Sequence, residues 1–173
     1  IIKTCQRLGI KTVAIFSEPD RHSLFVNQAD EAFFIGSSDL NDSYLNIDKI
    51  MRIAKQSECQ AIHPGYGFLS ENSEFAQLCQ DNSITFIGPS PSCIQKMGCK
   101  KEAKRIMSEA GIPVVPGFNL TSQTNSELIL QAEETGYPIL IKAANGGGGK
   151  GMKRVASSDQ LINSIESAKR EAL

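Results

Sequence analysis

Long apolar runs are missing from this sequence, and no stretch approaches the length of a membrane span. An excess of charge of either sign is missing too. The 18 basic and 19 acidic residues nearly balance, and no basic stripe offers a nucleic-acid footprint. Histidine is scarce: the two present, His22 and His63, are not spaced with a cysteine pair, which sets zinc aside. Cys5, Cys59, Cys79, Cys93 and Cys99 are odd in number and form no C-x-x-C pair. They read as thiols in a reducing compartment, with Cys5, Cys59 and Cys79 as small packing residues. No signal peptide, internal repeat or low-complexity tract is visible. What remains is ordinary globular composition, 40% hydrophobic and 21% charged over 173 residues, sufficient for the core of one domain or one and a half.

What is there centres on residues 142–152, KAANGGGGKGM. They follow the apolar run Tyr137-Pro138-Ile139-Leu140-Ile141, which reads as a buried strand. Gly146, Gly147, Gly148 and Gly149 carry no Cβ, so a loop built from them can fold over a polyphosphate with its N–H groups turned inward. Lys142 and Lys150 stand at its two ends, and either supplies positive charge to phosphate oxygens. The order is not that of a Walker A loop, because Gly151 follows Lys150. It is not the dinucleotide fingerprint either, since no acidic residue follows at the expected spacing. A flexible linker is the plain alternative, but a linker is Gly/Ser-rich over a longer span and does not abut an Ile-Leu-Ile strand. Phosphate binding is the better reading.

In chain order, residues 1–8 read as the end of an amphipathic helix stopped by Gly9, and 11–16 as a strand. That is the second half of a βαβ unit, and the sequence suggests a chain that begins in mid-motif. A short helix over 22–28, a strand over 31–36, a helix over 45–57, a strand over 59–62, a helix over 73–81 and a strand over 84–87 follow. This alternation predicts a parallel sheet covered on both faces. Between the third strand and its helix lies His63 to Asn72, HPGYGFLSEN, a tight loop at a strand's carboxyl end, where parallel sheets line their ligand crevice. His63 alone is better read as a hydrogen-bonded structural histidine. Gly88-Pro89-Ser90-Pro91 breaks the rhythm. A helical turn over 94–97, a helix over 100–110, a stiff segment 112–117, a polar loop over 121–126 and a helix over 127–135 come next. The strand, the glycine run, a return strand over 152–156 and a helix over 158–171 end the chain. A strand, glycine turn and strand make a hairpin lid, not the strand-to-helix geometry of a P-loop.

HPGYGFLSEN, then FIGPS, then MG-x-K, then GIPVVPG, then GYPILIKAANGGGGKGM, in this order, resemble the N-terminal part of a biotin carboxylase over essentially the whole chain. The resemblance implies an α/β fold: a Rossmann-like pre-ATP-grasp parallel sheet over 1–87, a helical linker over 88–114, and the small lid subdomain of an ATP-grasp fold over 115–173, truncated at both ends. It implies that Lys100 of MG-x-K and Lys142 of ILIKA bind ATP phosphates, that Gly146 to Gly149 close over the triphosphate, and that Met152 packs near the adenine. It places Tyr66 and Glu71 in the cleft near biotin. Catalytic groups and the carboxylates that hold Mg2+ are implied to lie downstream, so no catalytic or metal residue is assigned here. The implied reaction is phosphorylation of bicarbonate by ATP to carboxyphosphate, which carboxylates biotin on a carrier domain. The implied partners are the biotin carboxyl carrier domain, a carboxyltransferase and a second copy in a homo-oligomer, without nucleic acid or membrane, in the mitochondrial matrix or the cytoplasm. Another ATP-grasp ligase, of carbamoyl-phosphate synthetase type, and a non-catalytic interaction module are the alternatives. One departure stands out: the family commonly has Asp where Cys99 precedes Lys100, and Cys caps a helix poorly, a loss of about 1 kcal/mol.

Overall fold

The computed structural model describes residues 1–118, 124–142 and 152–172. They form two compact units, Ile1–Gln95 and Lys96–Leu173. The first unit alternates helix and strand: α1 (Ile2–Arg7), β1 (Val13–Ser17), α2 (Leu24–Gln28), β2 (Glu31–Gly36), α3 (Ile47–Gln56), β3 (Ala61–Ile62), α4 (Ser73–Asp81) and β4 (Thr85–Phe86). β1 pairs with β2 in parallel from Val13↔Glu31 to Phe16↔Phe34, with a register irregularity before Ser17↔Gly36. β3 pairs with β4 in parallel through Ala61↔Thr85 and Ile62↔Phe86. The parallel pairing expected from the alternation is present, as two ladders rather than one continuous sheet. The second ladder is short because Pro64 and Pro89, which lack an N–H, follow closely on β3 and β4.

One core serves both ladders. Ile50, Met51, Ile53 and Ala54, at helical spacing on α3, pack with Ile35 of β2, Phe75, Ala76 and Cys79 of α4, and Phe86 of β4. Phe75, 2% exposed, meets Phe86 edge-on with centroids 6.1 Å apart. Both helices start on asparagine caps: Asn46 accepts from the Lys49 N–H at 3.0 Å and Asn72 from the Phe75 N–H at 2.7 Å.

α5 (Pro91–Gly98) is a full helix where the sequence reading expects a short turn over 94–97. Pro91 is the reason: its fixed φ and missing N–H suit the first helical turn, and the Ser90 hydroxyl accepts from the Cys93 N–H at 3.3 Å. α6 (Lys100–Glu109) follows, with no buried residue. The Lys104 ammonium donates to the Gly117 carbonyl at 2.8 Å and so ties α6 to the segment beyond it. α7 (Asn125–Thr135) begins inside the expected polar loop over 121–126. Thr124 and Glu127 form a capping box there: the Thr124 hydroxyl accepts from the Glu127 N–H, and the Glu127 carboxylate accepts from the Thr124 N–H at 2.7 Å. β5 (Ile139–Ile141) and β6 (Lys153–Val155) pair antiparallel, and a 3-10 turn at Ser158–Gln160 leads into α8 (Leu161–Ala172). Leu128, Ala132, Val155, Leu161 and Ile165 make a second core. Among the described residues no helix is long and apolar enough to cross a membrane.

Candidate functional site

The antiparallel hairpin sorts its side chains by alternation. Ile139↔Val155, Leu140↔Arg154 and Ile141↔Lys153 stand opposite, and Lys142 and Met152 are the residues that follow and precede the last pair. Val155 is fully buried, and Ile139 and Ile141 pack with it against the second core. Lys153 reaches Glu171 of α8 at 2.5 Å, and this ion pair holds the Glu171 carboxyl below its usual range. The other face is open: Leu140, Lys142, Met152 and Arg154 are all exposed. Two of the residues singled out from sequence, Lys142 and Met152, thus flank the paired segment of the hairpin, and both are exposed. The structure adds two that sequence reading omitted, Leu140 and Arg154, although alternation within ILI and KRV is the signal that finds them. Gly146, Gly147, Gly148 and Gly149 lie outside the described residues.

Lys100 is the first residue of α6, in the same unit, and is exposed. Its N-cap is Cys99, whose side chain makes no cap hydrogen bond. Glu102, in the first turn, opposes the positive end of the helix dipole. The Glu102 carboxyl is held below its usual range chiefly by its hydrogen bond from Arg105.

Tyr66 and Glu71 lie in the first unit, on the loop that leaves β3. Gly65 and Gly67 adopt φ of 71° and 73°, a left-handed conformation open to glycine. His63 Nδ1 accepts from the Gly65 N–H at 3.0 Å, which gives this histidine the structural role expected of it. The loop is anchored by buried Leu69 and by Phe68, which stacks on Tyr44 with centroids 5.5 Å apart. Between the two glycines Tyr66 stands 99% exposed, and Glu71 is exposed at the end of the same loop. At the carboxyl end of β1, Asp20 accepts from the Tyr44 hydroxyl at 2.5 Å and the Ser17 hydroxyl at 3.0 Å. Among the described residues no group of three or more His, Cys, Asp or Glu could hold a metal ion.

Parallel α/β ladders in the first unit and a lysine-bearing antiparallel hairpin packed on helices in the second make this an α/β protein with an exposed cationic hairpin face. Residues 1–94 match the family Biotin carboxylase, N-terminal domain, and residues 99–173 match Carbamoyl-phosphate synthase L chain, ATP binding domain. The chain belongs to the biotin carboxylase family. It is 50% identical over 172 residues to the mitochondrial methylcrotonoyl-CoA carboxylase subunit alpha of Mus musculus, covering 99% of this chain and 24% of that protein. It is 48% identical to biotin carboxylase 1 of Bacillus subtilis, covering 99% and 38%. Among solved structures, a Campylobacter jejuni biotin carboxylase in a β-γ-ATP complex aligns with a TM-score of 0.92 at 40% identity, over 99% of this chain and 38% of that one. The biotin carboxylase domain dimer of Hydrogenobacter thermophilus 2-oxoglutarate carboxylase, with MgADP, ADP and bicarbonate, aligns at 0.89 and 43%, over 99% and 38%. The chain thus spans 24% to 38% of the length of these curated relatives.

Proposed function

We propose that this chain is the nucleotide-clamping front part of an ATP-dependent biotin carboxylase. The observation that carries the reading is the open face of the hairpin, whose strands lead directly into exposed Lys142 and out of exposed Met152 on either side of the glycine run. Lys142 neutralises phosphate oxygens, as does Lys100; Met152, 41% exposed, lies under the base; and Gly146 to Gly149 cover the triphosphate. Bicarbonate attacks the terminal phosphorus, ADP leaves, and the resulting carboxyphosphate transfers its carboxyl group to N1′ of biotin on a carrier domain with release of phosphate. Mg2+ would neutralise phosphate charge in such a transfer; among the described residues no group of three or more His, Cys, Asp or Glu is placed to hold it. Exposed Tyr66 and Glu71 border the biotin cleft. Residues 1–87 act as the pre-ATP-grasp domain, 88–114 as linker and 115–173 as the lid. A carboxyltransferase takes the carboxyl group onward, the working form is a homo-oligomer, and the compartment is the mitochondrial matrix or the cytoplasm.

The test is ADP release by the full-length protein, with and without biotin and bicarbonate. Release that requires both supports the reading. ATP cleavage indifferent to biotin favours a carbamoyl-phosphate synthetase-like ligase, a reading that the match over residues 99–173 also accommodates. No cleavage at all favours a non-catalytic module. Within the reading, Lys142→Ala weakens ATP binding by about tenfold or more without loss of helical circular dichroism, because the side chain is exposed. Unchanged affinity removes Lys142 from the site.

A further inference from the structure

The face that carries Lys142 holds a second cation. Alternation puts Arg154 on the same side of β6 as Met152, and the register pairs it with Leu140. Leu140 and Arg154 stand opposite each other, and Lys142 and Met152 are the next residues beyond the last pair; with the register extended by that one step, the face is a two-by-two array, Leu140 beside Arg154 in one row and Lys142 beside Met152 in the next. The apolar side chains occupy one diagonal and the cations the other. Neighbours across such an array are about 5 Å apart and diagonals about 7 Å, the scale of one purine ring with a cation on each side. All four side chains are exposed. Among the described residues neither Lys142 nor Arg154 has an ion-pair partner, whereas Lys153 on the opposite face is paired with Glu171.

With phosphates at Lys142 and a base over Met152 and Leu140, Arg154 lies at the far edge of the ring. A guanidinium offers donors only, and a purine edge offers acceptor nitrogens. We propose that Arg154 is a base-side contact of the bound nucleotide, donating to a purine ring nitrogen while Leu140 completes the apolar platform under the ring. This rests on the nucleotide reading of the hairpin given above.

Arg154→Met keeps the aliphatic stem and removes the donors. In the full-length protein, calorimetry with the variant gives dissociation constants about tenfold weaker for both ATP and ADP, while inorganic tripolyphosphate, which has no base, binds as to wild type. Lys142→Ala weakens tripolyphosphate as well as ATP. Unchanged ATP and ADP binding in Arg154→Met makes the residue a solvated surface cation and overturns the proposal. An equal loss for tripolyphosphate makes it a phosphate contact and overturns it too. Wild-type protein that binds no adenine nucleotide overturns the nucleotide reading itself, a result that no Arg154 variant can imitate.

Discussion

Tyr44 joins residues that are distant in sequence. Its hydroxyl donates to Asp20 at 2.5 Å and accepts from the Ser17 N–H at 3.0 Å, while Ser17 and Ser23 hydroxyls also donate to Asp20. These donors, Tyr44 first, hold the Asp20 carboxyl below its usual value of 3.8. A carboxyl depressed in the folded state adds stability above its unfolded value, and that stability is lost as pH falls through the folded one. Tyr44→Phe is therefore expected to cost about 1 kcal/mol at neutral pH, with the gap to wild type narrowing as the solution is acidified through the carboxylate range. Urea unfolding of both proteins across that range checks it; a gap independent of pH removes Asp20 from the account. Neither residue is marked in the sequence, because the bond spans 24 residues and exists only once β1 and the chain before α3 have met.

At the scale of elements, caps separate the helices. α3, α4 and α7 each begin on a side chain that accepts a backbone N–H, while α6 begins on Cys99, which accepts none. Cys99→Asp is expected to raise stability by about 1 kcal/mol through the missing cap bond and the helix dipole, read as a higher urea midpoint with unchanged slope; an unchanged midpoint would mean that the start of α6 is satisfied by other means. Local signals were sufficient for β2 and α4, whose observed bounds, Glu31–Gly36 and Ser73–Asp81, are those read from the pattern. They mislead at α5, where Pro91 reads as part of a break and is a helix start, and at α7, where Thr124 to Ser126 read as polar loop and are the cap and first residues of the helix. In the hairpin, the lysine and glycines were legible as chemistry, but the company of Lys142 was not. Leu140 and Arg154 join it only through the cross-strand register, which short-range pattern does not fix.

At the largest scale, the described residues form one core around Phe75 and another around Leu161. Phe75→Ala and Leu161→Ala should each cost about 3 kcal/mol or more. The double variant should cost their sum to within about 0.5 kcal/mol, as for sites without shared partners. A larger coupling, measured by a double-mutant cycle, would mean that the cores act as one. Composition showed only that there was enough apolar residue for more than one core; the division of that residue between cores depends on long-range packing. The chain that joins α6 to α7 carries its own constraint. The Lys104 ammonium holds the Gly117 carbonyl 13 residues away, and so divides that connection into two shorter spans. The clasp exists only in the folded chain and is lost on unfolding, whereas a covalent cross-link persists there and restricts the unfolded ensemble. It is a tether of the native connection that opens and closes with the fold.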